Sequence, residues 1–183
     1  MEVKHALESI VAEIGEVIDS VDVATAEVLA ASVNAAARVF LAGEGRSGLV
    51  ARAFAMRLAH LGMRVFVVGE STTPAVGRGD VVLVVSGSGQ TPVACHFAEA
   101  ARSAGATVAG VLADPSSRLA GLADTYLVIP GKVKTGAGLK SVQMPGSLFE
   151  QATFIVLDAI VMQLAAIRGE SIAAMRARHT TLE

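Results

Sequence analysis

A single cysteine, Cys95, stands among the 183 residues, which rules out an intramolecular disulfide framework. No Lys/Arg-rich run occurs, and 15 basic against 17 acidic residues leave a formal net charge of -2, a balance that argues against a general nucleic-acid binder. The N-terminus lacks the apolar core of a signal peptide, so the cytoplasm is the expected location. The most apolar segment, 152–167, contains Asp158 and Gln163 and stops short of the ~20 residues of a membrane span. It predicts a buried helix and no membrane partner. No G-x-x-x-x-G-K-S/T pattern occurs, which excludes a P-loop, and neither linker composition nor an internal repeat divides the chain. Apolar surface is what the chain has in plenty: 52% of residues are hydrophobic and only 17% charged. In a chain of one-domain size, such an excess suggests burial between subunits.

Apolar residues Val3, Leu7, Ile10, Val11, Ile14, Val17 and Ile18 recur at helical spacing. After the break at Asp19, Ser20 and Asp22, a second helix is expected to about Ala37, with Asp22 as N-cap. These helices, residues 1–37, precede any strand and would pack on the domain or on a partner subunit. Residues 38–183 then alternate short β-branched runs with helical patterns. Strands are expected at 38–42, 64–68, 81–85, 107–112 and 125–129. Helices should fill the intervals, and a long one, capped by Ser147, should run to about Arg168 before a last short helix. The absence of hairpin signals implies right-handed crossovers and an α/β fold, a five-stranded parallel sheet covered on both faces. Ligands of such sheets bind beyond the carboxyl ends of the strands.

Two glycine-rich turns fall at that end. Ser86-Gly87-Ser88-Gly89-Gln90-Thr91 follows the most apolar strand and precedes a helix, a cradle for an anion built from amides, hydroxyls and a helix terminus. The competing reading of these residues is a small-residue turn without a ligand. Gly43-Glu44-Gly45-Arg46-Ser47-Gly48 satisfies the dinucleotide pattern G-x-G-x-x-G, with Glu70 at about the spacing of a ribose-binding acid. A small dinucleotide-binding redox protein is therefore one candidate function. Against it stand the missing room for a substrate domain, the second phosphate-type turn, and Arg46 and Ser47 as extra anion ligands.

Gly45-Arg46-Ser47-Gly48-Leu49-Val50, Met56-Arg57-Leu58 with His60 and Gly62, the Ser86 to Thr91 turn, Gly146-Ser147-Leu148-Phe149-Glu150-Gln151 and the ending Arg178-His179-Thr180-Thr181-Leu182-Glu183 together resemble the sugar isomerase (SIS) domain and, within it, the 6-phospho-3-hexuloisomerase family. The chain departs from that family at Glu44, where alanine is commoner, and in the order Met144-Pro145. The resemblance implies a three-layer α-β-α sandwich and an isomerase that interconverts 3-hexulose 6-phosphate and fructose 6-phosphate in the ribulose monophosphate route of formaldehyde handling. It also implies that no metal or redox cofactor is needed, and that the protein is a homotetramer whose active sites are completed by neighbouring subunits. A non-catalytic SIS-type phosphosugar sensor is the alternative.

Moving a carbonyl between C3 and C2 requires a base at the carbon face and a group that manages protons on the oxygens. Glu150 matches the family's Phe-Glu-Gln motif and is the expected base; a helix-start carboxylate or a capping box with Ser147 competes with that role. His179, in the tail, and His60 are the candidate acid/base histidines; His60 would serve a partner's site or the core, and His179 a neighbour's site or only an exposed, frayed terminal helix. His5 is expected to face solvent, and His96 cannot share a helix face with its neighbour Cys95, which argues against a metal pair. The substrate phosphate is expected on Ser86, Gly87, Ser88, Gly89 and Thr91, with Gly45, Arg46 and Ser47 from the neighbouring turn. Arg46 has two candidate tasks, neutralising the phosphate or polarising the sugar carbonyl. Lys132, Lys134 and Lys140 read as solvated loop charges.

Overall fold

The computed structural model describes residues 2–131 and 141–181. In chain order, the elements are α1 (Val3–Asp19), α2 (Val23–Ala35), β1 (Arg38–Gly43), α3 (Gly45–His60), β2 (Val65–Val67), β3 (Asp80–Val85), α4 (Pro92–Ser103), β4 (Thr107–Leu112), α5 (Arg118–Leu122), β5 (Thr125–Val128), α6 (Ser147–Ile167) and α7 (Ile172–Ala177). The five strands form one all-parallel sheet in the order β2-β1-β3-β4-β5. The α/β architecture expected from the alternating pattern is therefore present.

Period-two alternation sorts the strand side chains into two cores. Val39, Leu41, Val81, Leu83 and Val85 face a layer built from α2, α3 and α6, while Phe40, Ala42, Val82 and Val84 face α4 and α5. Every residue of β3 is buried, as the central strand of a sheet covered on both faces requires. At the opposite end from the glycine turns, Arg38 donates from Nε and Nη2 to the two carboxylate oxygens of Asp80 at 2.9 and 2.5 Å, and the Gly77 amide adds a third bond at 2.8 Å. This network holds the Asp80 pKa below the ordinary carboxylate value, the Arg38 hydrogen bond being the main cause.

Asp22 caps α2 by accepting from the Ala24 amide at 3.0 Å, as its position in the sequence implies. The helices ahead of the first strand pack on their own domain: α1 on α6, and α2 on α6 and β5. Val3, Leu7 and Val11 of the α1 stripe nevertheless stay exposed. Two expectations need correction. Ser147 is the first helical residue of α6 and does not cap it; the N-cap is Gly146, at φ 91°, a left-handed conformation that favours glycine. The apolar stretch also extends beyond 152–167: α6 begins at Ser147, where the expected long helix does, and its 21 residues are enough to cross a membrane by length and composition. Ten of its residues, among them Leu148, Phe149, Leu157 and Leu164, are buried against the sheet and its neighbouring helices, which makes it the core helix of this layer.

Candidate active site

The strand order reverses direction between β1 and β3, and in open α/β sheets the crevice outside such a switch point is where ligands bind. Here it holds a cleft of about 240 Å³ lined by Glu44, Gly45, Arg46 and Ser47 from the β1–α3 connection, by Val85 to Ser88 and Thr91 after β3, and by Pro145, Gly146, Phe149 and Glu150 at the start of α6. Three segments far apart in sequence thus meet at one point.

Close backbone packing explains the glycines. A Cβ on Gly48 would stand 2.4 Å from the Gly43 carbonyl oxygen, and one on Gly43 would stand 2.9 Å from that of Val85. The first turn of α3 therefore lies directly on the end of β1, so Arg46 and Ser47 belong to a helix and not to a loop. The G-x-G-x-x-G spacing is accounted for by this approach. Glu70, the candidate ribose acid, instead pairs with Arg52 at an exposed position on α3. On the β3 side, Gly87 leaves room for Phe149, whose ring would lie 2.9 Å from a Cβ there.

Inside the turn, Ser86 is buried and its hydroxyl donates to Thr91 Oγ1 at 3.3 Å. The Ser86 amide bonds Val111 and the Gly89 amide closes the turn onto Ser86, leaving the Gly87 and Ser88 amides with no acceptor among the described residues. Gly89 departs from its expected place: at φ 59° it packs beside Ser117, where a Cβ would meet the hydroxyl oxygen at 2.1 Å, and it does not line the cleft. It shapes the turn that presents its neighbours. Three helices start at the cleft, α3 after Glu44, α4 after Thr91 and α6 after Gly146, and none has a side-chain cap. Of the helices that begin elsewhere, α2, α5 and α7 are capped by Asp22, Ser117 and Ser171, and α1 has no side-chain cap. Uncapped amides and aligned dipoles converging on one space favour an anion there.

Glu150 is only 8% exposed and accepts from Arg46 Nε–H, an ion pair that no capping contact with Ser147 accompanies. Arg46 is 62% exposed over its side chain and lines the cleft beside the carboxylate that its Nε–H binds. A Cβ on Gly146 would come within 3.1 Å of Glu150 Oε1, which shows how closely the helix entry wraps the carboxylate.

The two histidines lie elsewhere in this subunit. His60 ends α3 and His179 follows α7, their ring centroids 5.0 Å apart. Since α3 starts at the cleft, its 16 residues place His60 about 22 Å away along the axis. Burial pushes the His60 pKa down, with His179 and Arg57 acting in the same direction. Arg178 Nη1 donates to the His60 carbonyl at 2.9 Å and to Glu170 at 2.8 Å, which docks the tail on α3. His5 and His96 are exposed, and Cys95 is buried and faces away from His96. Among the described residues no group of three or more His, Cys, Asp or Glu side chains is placed to hold a metal. Lys132, Lys134, Lys140, Leu182 and Glu183 lie outside the described residues. Pro145, Gly146 and Phe149 line the cleft without having been singled out as site residues, although Gly146 and Phe149 fall inside the Gly-Ser-Leu-Phe-Glu-Gln motif.

A parallel sheet of this order defines a doubly wound α/β domain with its ligand crevice at the switch point, and residues 32–155 match the SIS domain family. The chain belongs to that family. It is 44% identical over 172 residues to 3-hexulose-6-phosphate isomerase of Mycobacterium gastri, covering 93% of this chain and 86% of the relative. It is 38% identical over 160 residues to the protein of that name from Bacillus subtilis, covering 86% of each. A solved Methanococcus jannaschii protein, for which the function of 3-hexulose-6-phosphate isomerase has been inferred, superposes with a TM-score of 0.85 at 26% identity, covering 98% of this chain and 99% of that one.

Proposed function

We propose that the protein interconverts 3-hexulose 6-phosphate and fructose 6-phosphate through a cis-enediolate. The observation that carries this reading is the Arg46–Glu150 pair sharing one cleft with the Ser86 to Thr91 turn, which gives a base and an anion cradle within reach of a single small molecule. The names of the relatives point the same way.

In this reading, the phosphate sits on the Ser86, Ser88 and Thr91 hydroxyls, the Gly87 and Ser88 amides and the start of α4, with Ser47 and the Gly45 turn on the other side. The Glu150 carboxylate takes the proton from C2, the C2–H electrons form the C2–C3 double bond, and the C3 carbonyl electrons move onto its oxygen. The same carboxyl group returns its proton to C3 as the C2 hydroxyl gives up its proton and becomes the carbonyl. Arg46 contacts the base itself, which favours a place beside the enediolate oxygens over one at the phosphate. Proton movement between the two oxygens falls to a histidine, and the distance of His60 and His179 from their own cleft favours a second subunit as the donor. A homotetramer with shared sites fits the exposed apolar residues Val3, Leu7, Val11 and Met162. Cytoplasmic location and a role in formaldehyde handling by the ribulose monophosphate route complete the proposal; no metal or redox cofactor is required. A coupled assay following fructose 6-phosphate formation tests it. Phosphosugar binding without turnover would leave a sensor and remove the isomerase.

A further inference from the structure

Glu13 lies on α1, outside the residues that match the family, yet its carboxylate is bound by the chain that forms one wall of the cleft. Ser141 Oγ–H donates to Oε2 at 2.7 Å, the Val142 amide to Oε1 at 2.8 Å and Gln143 Nε2 to Oε2 at 2.9 Å. Ser141 Oγ also accepts from the Gln143 amide at 3.0 Å, so residues 141–143 fold around the single carboxylate. Gln143 is buried in doing so. Two residues further on, Pro145 and Gly146 line the cleft, and Gly146 is the left-handed N-cap that sets the direction of α6 and with it the position of Glu150. The Glu150 amide bonds the Gly146 carbonyl at 3.0 Å. From Glu13 to Glu150 the connection is therefore short and made of directional contacts. The Ser86 to Thr91 turn hangs on β3, a different element, and shares none of these bonds.

We propose that Glu13 is a positioning residue for the isomerisation: α1 latches the 141–146 segment so that Gly146 and Glu150 stand where the C2 proton is removed, while phosphate binding does not depend on it. This role rests on the isomerase reading above. Its signature is a split between chemistry and binding, because displacing a base by about 1 Å costs up to about 10²-fold in rate while a cradle on another strand is untouched.

The test uses the whole chain with Glu13→Ala, which keeps good helix propensity in α1, and Ser141→Ala, which removes one of the three bonds to Glu13 together with the Gln143 amide bond to Ser141. For each, kcat, the inhibition constant of inorganic phosphate, the thermal midpoint and hydrogen exchange of the Val142-containing segment are measured. Expected are a kcat lower by about tenfold or more in Glu13→Ala, a smaller drop in Ser141→Ala, phosphate inhibition within about twofold of the unaltered protein, and faster exchange at 141–146. An undiminished kcat in Glu13→Ala overturns the latch, even if exchange quickens. So does a parallel loss of kcat and phosphate affinity, the pattern of a general structural defect. Absence of turnover in the unaltered protein would overturn the isomerase reading, whereas turnover there with normal rates in both variants overturns the role of Glu13 alone.

Discussion

Glu150 and Arg46 are separated by 104 positions, and nothing in the spacing of either announces the other. Each was recognisable as a candidate only through the motif around it; their pairing is a product of α3 and α6 packing side by side. Glu150→Gln keeps an oxygen for Arg46 but removes the proposed base, so exchange of the C2 proton with deuterated water should fall by at least about 10²-fold while phosphosugar affinity is retained. Persistent exchange would take the base role away from Glu150. Ser88→Ala should act oppositely, weakening binding by about 1–3 kcal/mol with kcat little changed, as measured by calorimetric titration. The serine turn was readable because small hydroxyl residues at a strand end have few other uses. Glu13 was not readable: on an amphipathic helix, a carboxylate beside the apolar stripe looks like any solvated position, and its partners come from 128 to 130 residues downstream.

Among the elements, strands and crossovers were legible because β-branched runs bounded by glycine leave little choice between strand and helix, as at Val81 to Val85. Helix starts were less so. Ser147 has the chemistry of a cap, yet the chain enters α6 through Gly146 because only a left-handed residue turns it sharply enough against Glu150. Strand order was not encoded in any local pattern; the two glycine turns were expected at one end of the sheet, and the order β2-β1-β3 is what makes them neighbours. The tight seat of α3 on β1 gives a test at this scale. Gly48→Ala puts a methyl group 2.4 Å from the Gly43 carbonyl oxygen, so α3 must shift outward. The expected cost is about 1–3 kcal/mol, the usual range for overpacking, with the thermal midpoint falling about 2–4 °C per kcal/mol. Catalysis should suffer as well, since Arg46 and Ser47 ride on the displaced turn. An unchanged midpoint in thermal unfolding would show that the seat is looser than described.

For the whole molecule, the Arg38–Asp80 network ties β1 to β3 at the end away from the cleft. The Asp80 pKa is depressed in the folded chain, so the stability it contributes is present above the unfolded value of 3.8 and is lost as pH falls through the folded value. Asp80→Asn should therefore lower the thermal midpoint at neutral pH and flatten its decline below about pH 4; parallel curves for the two proteins would remove Asp80 from the acid limb. The two ends of the sheet consequently differ in kind. One is closed by a salt bridge that the chain supplies to itself. At the other, α3, α4 and α6 begin with no side-chain cap of their own, and the phosphate proposed for the Ser86 to Thr91 turn is the charge that the chain does not supply there. Binding of that proposed anion would stabilise the folded frame that carries Arg46 and Glu150.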